Sequence, residues 1–448
     1  MSIDDSSGSH SRQTAKEESS VFRRYQEVLP PNDDEAIGSL PVELGADGLA
    51  TDVEMEELAG PGSDHDGSWN DSITAPYDPS KIEIQTLNPT IDLLMSRLRE
   101  GMIDLAPDFQ RRAGIWSDER QSRLIESLLL RIPIPSFYVA ELADSSWVAD
   151  SSWAIVDGIQ RLTAIARFIA PDALSGMARL SDLPPLRLRG LEYLQKDFEG
   201  KGYQDLTGRL QIRLRETQVV VHSIRPGTPE EVKFNIFARI NTGGLALTRQ
   251  EIRHALIPGP ARELLASLAS SAEFKSATGG RVPDERMADR EMVLRFLAFR
   301  LTPPEEFRPN QEFDQFLAQA MHGINRLPAV PQSELADSFL DAMRAAEDIF
   351  SWHAFRKRYP GQTRRSPVNK ALFESVAVNL ARLTAEERAE LVRSSEAVVE
   401  RFQQLMTNPQ FDSAISVGTG DRLKVATRFA AIELLFHDVL SSGGGPSK

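Results

Sequence analysis

The sequence predicts an α+β fold in its first half followed by a mainly α-helical domain, and three observations carry that expectation. An apolar strand ending in Ile155-Val156 runs through the polar turn Asp157-Gly158-Ile159-Gln160-Arg161 straight into an amphipathic helix. Around this junction short β-like stretches alternate with helical patterns. From about residue 261 to 440 only the helical period recurs.

The chain has 448 residues and is 41% hydrophobic, enough for two cores. The charge is uneven. Residues 1–75 hold 17 acidic and 4 basic side chains, leaving 48 acidic and 47 basic in the rest, so the net charge of −14 belongs to the N-terminal arm. A nearly neutral body does not exclude nucleic acid, because binding depends on where the positive charge sits. Residues 1–75, rich in Ser, Asp, Glu and Gly without a sustained apolar period, read as a disordered acidic tail. Such a tail either solubilises the chain or competes with nucleic acid for a basic groove. Residues 76–260 read as the α+β domain, 261–440 as the helical domain and 441–448 as a flexible C-terminus. The opening residues lack a basic-then-apolar leader and no apolar run reaches ~18 residues, so a cytoplasmic protein without a membrane partner is expected. The absence of cysteine excludes disulfides, thiol catalysis and cysteine zinc sites.

Each element follows from local pattern. Asn88-Pro89-Thr90 precedes a short helix with Ile91, Leu94, Met95 and Leu98 on one face. Ser117 caps a helix to Leu130 with Leu124, Ile125, Leu128 and Leu129 inward, stopped before Pro133 and Pro135. Phe137 to Ala140 and Trp153 to Val156 read as strands separated by the polar stretch 142–152, and Thr217 to Ile224 as another. Thr228-Pro229-Glu230-Glu231 opens a helix in which Val232, Ile236 and Ile240 recur every fourth residue, delivering Asn241-Thr242-Gly243-Gly244 at its end. Thr248-Arg249-Gln250-Glu251 is a second capping box. In the second half, Glu285 to Phe299, Asn369 to Leu380 and Asp421 to Leu440 are apolar-periodic, a pattern more often core than cofactor site.

The turn at 157–161 has two readings. Glycine lets backbone approach a ligand, and a helix start beside an arginine favours an anion such as phosphate. An ordinary strand-to-helix turn capped by Asp157 has the same spacing. No P-loop pattern is present in the chain.

Four blocks in order carry a family resemblance: Phe109-Gln110-Arg111 with Trp116; Gln121 to Leu128 with Ile132-Pro133-Ile134-Pro135; Asp157-Gly158-Ile159-Gln160-Arg161-Leu162-Thr163; and Phe237 to Gly244 with Leu247, Gln250, Glu251 and Arg253. With them residues about 80–260 resemble the GmrSD-type N-terminal domain, a family found in modification-dependent restriction enzymes and other anti-phage proteins. Ile159 stands where the family often has Gln. The resemblance implies a ParB/sulfiredoxin-like fold whose signature turn holds a nucleoside triphosphate, with GTP, ATP and CTP undistinguished and Mg as the accompanying ion. Carried onto this sequence, Asp157, Gln160 and Arg161 would be catalytic. Arg161 and Arg111 would hold phosphate oxygens, Gln160 would orient a water, and Asp157 would bind through the ion or fix the loop. Gln110, Gly158, Arg239, Asn241, Thr242 and Gly243 would complete the nucleotide-binding set. Arginine forks suit phosphate, and phosphoryl transfer depends on positioning and charge neutralisation.

One stretch of the second half suits nucleic acid. Trp352, Arg356, Lys357, Arg358, Arg364 and Arg365 interleave basic and aromatic residues with no acid among them, a combination fit for phosphate contact and base stacking. A solvated helix end over buried aromatics would look the same. The seven histidines, His10, His65, His222, His254, His322, His353 and His437, form no HNH-type arrangement such as many relatives carry. The expectation is therefore an NTP-hydrolysing, DNA-responsive component of an anti-phage or restriction system working with a separate nuclease. The alternative is a DNA-binding adaptor that uses nucleotide as a switch without turnover. A nuclease centred on the turn itself ranks last, since the motif shows no second metal-binding carboxylate.

Overall fold

The computed structural model describes residues 42–44, 50–55, 82–105, 116–142, 152–175, 177, 183–229, 232–233, 236, 248–284, 286–307 and 313–443. They form an α+β unit, a helical unit, and a small N-terminal strand pair.

The α+β unit is built on a mixed five-stranded sheet. Its strands are β3 (Ile84–Leu87), β4 (Ile103–Asp104), β5 (Phe137–Leu142), β6 (Ser152–Asp157) and β7 (Val221–Ile224), in the spatial order β3-β7-β5-β6-β4. The β5/β6 and β3/β7 pairs are antiparallel; β5/β7 and β4/β6 are parallel. Alternation divides the sheet into two buried faces. Phe137, Val139, Trp153, Ile155 and Val221 meet α1 (Ile91–Arg99), α2 (Asp118–Leu129) and α3 (Ile159–Ile169). Ala140, Val156 and Ile224 meet Ile252 of α6 (Arg249–Leu256).

The caps explain where these helices begin. Ser117 accepts the Arg120 amide, as the N-cap reading of the sequence predicts, and Thr90 accepts that of Leu93. The Thr248/Glu251 box closes with both of its reciprocal bonds. The Thr228 hydroxyl accepts the Glu83 amide at 3.2 Å, tying this turn to β3, while positions 230 and 231 lie outside the described residues. The last strand is shorter than its composition suggests. Only Val221–Ile224 is laddered, because residues 217–219 bond to the turn before α1 instead, through Ile91 N to Thr217 O and Val219 N to Pro89 O.

The helical unit surrounds α9 (Ala288–Leu301), buried on nearly every side and carrying Arg290 and Arg295 inward. Buried charges need partners. Arg295 binds Glu291 and Glu374, and Glu374, on α12 (Lys370–Arg382), is also paired with the fully buried Arg428 of α16 (Arg422–Gly443). Burial pushes the Glu291 carboxyl up, yet Lys370, Arg295 and Arg253 together hold it well below the usual carboxylate range. Arg253 joins the two units, since it lies on α6 and binds Asp314 of α10 (Phe313–Arg326) at 2.6 Å.

The reading of 1–75 as one unstructured tail does not hold for its middle. Val42–Leu44 (β1) and Ala50–Glu54 (β2) pair antiparallel and dock on the helical unit, where Glu54 N bonds Val368 O and Val368 N bonds Asp52 O, both at 2.8 Å. Composition missed this because Asp52 and Glu54 are matched by cations more than 300 residues away. Among the described residues no helix is long and apolar enough to cross a membrane.

Candidate functional site

Strand β6 ends at Asp157, and Gly158 turns the chain into α3. Gly158 has φ +100, and a Cβ there would stand 2.4 Å from Phe137 Cδ1 and 3.3 Å from Arg161 Nη2. Both the backbone and the space therefore demand glycine. The helix starts with no side-chain cap and no acidic residue in its first turn. The ordinary-turn alternative, Asp157 as the cap, is not realised. Instead Asp157 Oδ2 accepts from Arg161 Nη2 at 2.6 Å, and the Asp157 side chain remains more than a third exposed.

Arg161 departs from its expected role. Its Nη1 donates to the carbonyls of Pro135 (2.5 Å) and Ser136 (3.0 Å), its Nη2 reaches Asp157, and its guanidinium lies 5.1 Å from the Phe137 ring centroid. With 7% of its surface exposed, it staples the start of β5 to the turn and is a positioning residue, not a free phosphate ligand. One of the carbonyls it donates to, that of Pro135, closes the Ile132-Pro133-Ile134-Pro135 block and gives its end a structural role.

Gln160 is held as well. Its Oε1 accepts the Trp116 amide at 3.1 Å, and the Trp116 carbonyl accepts Gln121 Nε2 at 2.7 Å. Arg167, two turns along α3, donates to Asp118 and Gln121, so the start of α2 is fastened to α3. The remainder of the 121–128 block is also supportive. Ser122 Oγ accepts the Arg189 amide, and Glu126 accepts the amides of residues 192, 193 and 194. Those bonds hold the Glu126 carboxyl below its ordinary range against the opposing push of burial.

Tertiary structure adds a row that no local pattern announced. Thr86, His222 and Tyr138 are in register across β3, β7 and β5, and Tyr138 is in register with Asp157. His222 Nδ1 is 3.1 Å from Thr86 Oγ1, and the His222 and Tyr138 rings are 4.8 Å apart. Of the three, Tyr138 adjoins Asp157 at the turn, and His222 and Thr86 lie one and two strands further out. Gln110, Arg111, Arg239, Asn241, Thr242 and Gly243, the other expected nucleotide ligands, lie outside the described residues.

The basic stretch of the second half is not the open surface expected of it. Arg356 is fully buried and donates to Asp52 (2.8 Å), Ser366 O and Thr278 O; Lys357 is buried against Glu54 (2.6 Å) and Ser416. Arg365 also binds Asp52, at 2.7 Å, and lies 5.9 Å from the centroid of the exposed Trp352 ring. Arg364 is exposed and Arg358 half-buried. Burial pulls Arg356 down to about 10 despite Asp52, and His353 to about 4, where burial is reinforced by Arg358, Arg356 and Arg365.

No curated protein matches the chain. Residues 91–258 match the family described as GmrSD restriction endonuclease, N-terminal domain, a span that runs from the first residue of α1 to just past α6 and encloses the Gly158 turn. This segment of the chain is accordingly a GmrSD restriction endonuclease N-terminal domain, a family described as part of a restriction system.

Proposed function

We propose that the protein is a nucleotide-binding, NTP-hydrolysing and DNA-responsive component of such a system, with the nucleotide phosphates seated at the start of α3. The observation that carries this reading is the Gly158 turn: a helix N-terminus with no side-chain cap, no acid in its first turn and a left-handed glycine with no side chain of its own to cover the first amides. Unpaired amides and the helix dipole favour an anion there. Arg161 maintains the shape of this cradle through Asp157 and the carbonyls of Pro135 and Ser136 just before β5. Gln160, its Oε1 held by Trp116, would present its amide NH2 to a phosphate oxygen or an attacking water. Mg fits this donor set in the sparing manner usual for nucleotide sites, where one or two carboxylates join phosphate oxygens. Asp157 would hold it through the oxygen that Arg161 does not take, and the ion would neutralise phosphate charge.

A second reading, nucleotide as a switch without turnover, is favoured by the internal engagement of both Gln160 and Arg161. Equilibrium binding and phosphate release, measured for ATP, GTP, CTP and UTP with and without duplex DNA, separate the two. Saturable binding with DNA-stimulated release is expected. Binding without release supports the switch, and no binding of any triphosphate under either condition overturns both.

A further inference from the structure

The strand pair β1/β2 covers a cluster of basic side chains. Asp52 receives Arg356 and Arg365, Glu54 receives Lys357 and Asn369, and Glu43 receives Lys370. Arg281, exposed and close enough to depress Arg356, joins the cations around this site. The strand pair supplies three carboxylates to a larger group of cations. Among the described residues its backbone hold on the helical unit is the two bonds at Val368, with Val53 buried between Asp52 and Glu54. A two-stranded piece this short is marginal by itself and depends on its docking site. Ion pairs are a poor choice for a merely structural strap, because desolvation consumes most of their attraction and apolar packing would hold as well.

We propose that β1/β2 is an acidic occupant of a polyanion-binding surface, and that the phosphate backbone of duplex DNA displaces it to reach Arg356, Lys357, Arg365 and Lys370. The inference rests on the DNA response proposed above, but not on the nucleotide site. It explains why cations in a DNA-acting protein are found buried against acids drawn from the distant N-terminal arm. Displacement at this place also reaches the other unit. Lys370 contacts Glu291 at 3.3 Å as well as Glu43, and Glu291 approaches Arg253 of α6 at 4.0 Å.

The test uses the full chain and a fluorescein-labelled 30-base-pair duplex, with anisotropy for affinity and hydrogen exchange for the arm. Adding duplex to the unaltered protein should speed exchange at the Glu54 and Val368 amides, which the docked strand protects. Asp52→Asn with Glu54→Gln should tighten duplex binding at least tenfold at low salt. The variant should also show a steeper salt dependence than the parent, by roughly 0.9 in the log–log slope for each cation freed to meet a phosphate. Adding Lys357→Gln and Arg365→Gln should remove that gain. Should the charge variants fail to fold, exchange in the unaltered protein decides alone. Duplex bound with unchanged exchange at Glu54 and Val368 overturns displacement and leaves a DNA response standing. A folded Asp52→Asn, Glu54→Gln variant that is less stable but binds no tighter shows a structural strap and overturns the inference. No duplex binding by parent or variant overturns the DNA response together with it.

Discussion

Gly158 and Phe137 are packed so closely that a single methyl group does not fit between them: a Cβ on Gly158 would lie 2.4 Å from Phe137 Cδ1. Gly158→Ala therefore meets two penalties, the left-handed φ of +100 and the ring. The φ alone costs about 1–2 kcal/mol, and the clash adds ~1–3 kcal/mol of overpacking. Urea denaturation should show both. In Phe137→Leu the second penalty should shrink while the first persists, so the double-mutant cycle should give a coupling of about 1 kcal/mol or more. Additive losses would show that Phe137 yields freely.

Arg161→Ala should destabilise the protein by about 2–4 kcal/mol, because it strands Asp157 and two carbonyls that shared one guanidinium. Nucleotide affinity should fall with the loss of turn geometry. Arg161→Lys keeps the charge but cannot span Pro135, Ser136 and Asp157 at once, and should recover little of the stability. A stable Arg161→Ala protein with selectively weakened triphosphate binding would instead make Arg161 a direct phosphate ligand.

Gln160→Ala removes the acceptor of the Trp116 amide, worth about 1 kcal/mol. It should leave triphosphate affinity within about threefold and slow turnover by a factor of ~10 or more, if Gln160 orients the water. Equal loss of affinity and turnover would mark a residue that only shapes the turn. Titration by fluorescence together with single-turnover phosphate release reads the two separately.

Glu126 accepts three consecutive amides, and its folded carboxyl titrates below its unfolded value of ~4.3. A depressed carboxylate stabilises the fold above the unfolded pKa and loses that contribution as pH falls through the folded one. Glu126→Gln should be less stable than the parent by about 1–3 kcal/mol at pH 7, and the two curves should converge as pH falls below ~4. Parallel curves across that interval would remove Glu126 from the acid response.

His353 gives the complementary acid limb. Burial first, then Arg358, Arg356 and Arg365, lower it to about 4. With an unfolded value near ~6.5, the neutral ring stabilises the fold above that pH, and the contribution drains away as pH falls from ~6.5 toward 4, by at most about 3 kcal/mol. His353→Gln should flatten the stability profile in that window. An unchanged profile would assign the acid loss to other groups.

Much of the architecture could be read from the chain itself, because it is written at helical and strand spacing. Ser117 and Thr248 start helices by bonds to amides three residues ahead, and the apolar faces of α1, α2 and α3 follow their periods inward. The need for glycine at 158 is equally local, since a strand running straight into a helix requires an abrupt turn. Which polar groups remain available for chemistry was decided only by contacts between distant segments. Arg161 looked like a phosphate ligand until the carbonyls of Pro135 and Ser136 claimed its guanidinium, and the row of Thr86, His222 and Tyr138 exists only because β7 lies between β3 and β5. Arg356 and Lys357 looked like an open basic face until Asp52 and Glu54 closed over them from the far end of the chain. Local spacing sets backbone geometry because hydrogen bonds within a turn or helix reach only a few residues, whereas the burial and pairing of a charge depend on whichever segment packs above it, and that is a property of the whole fold.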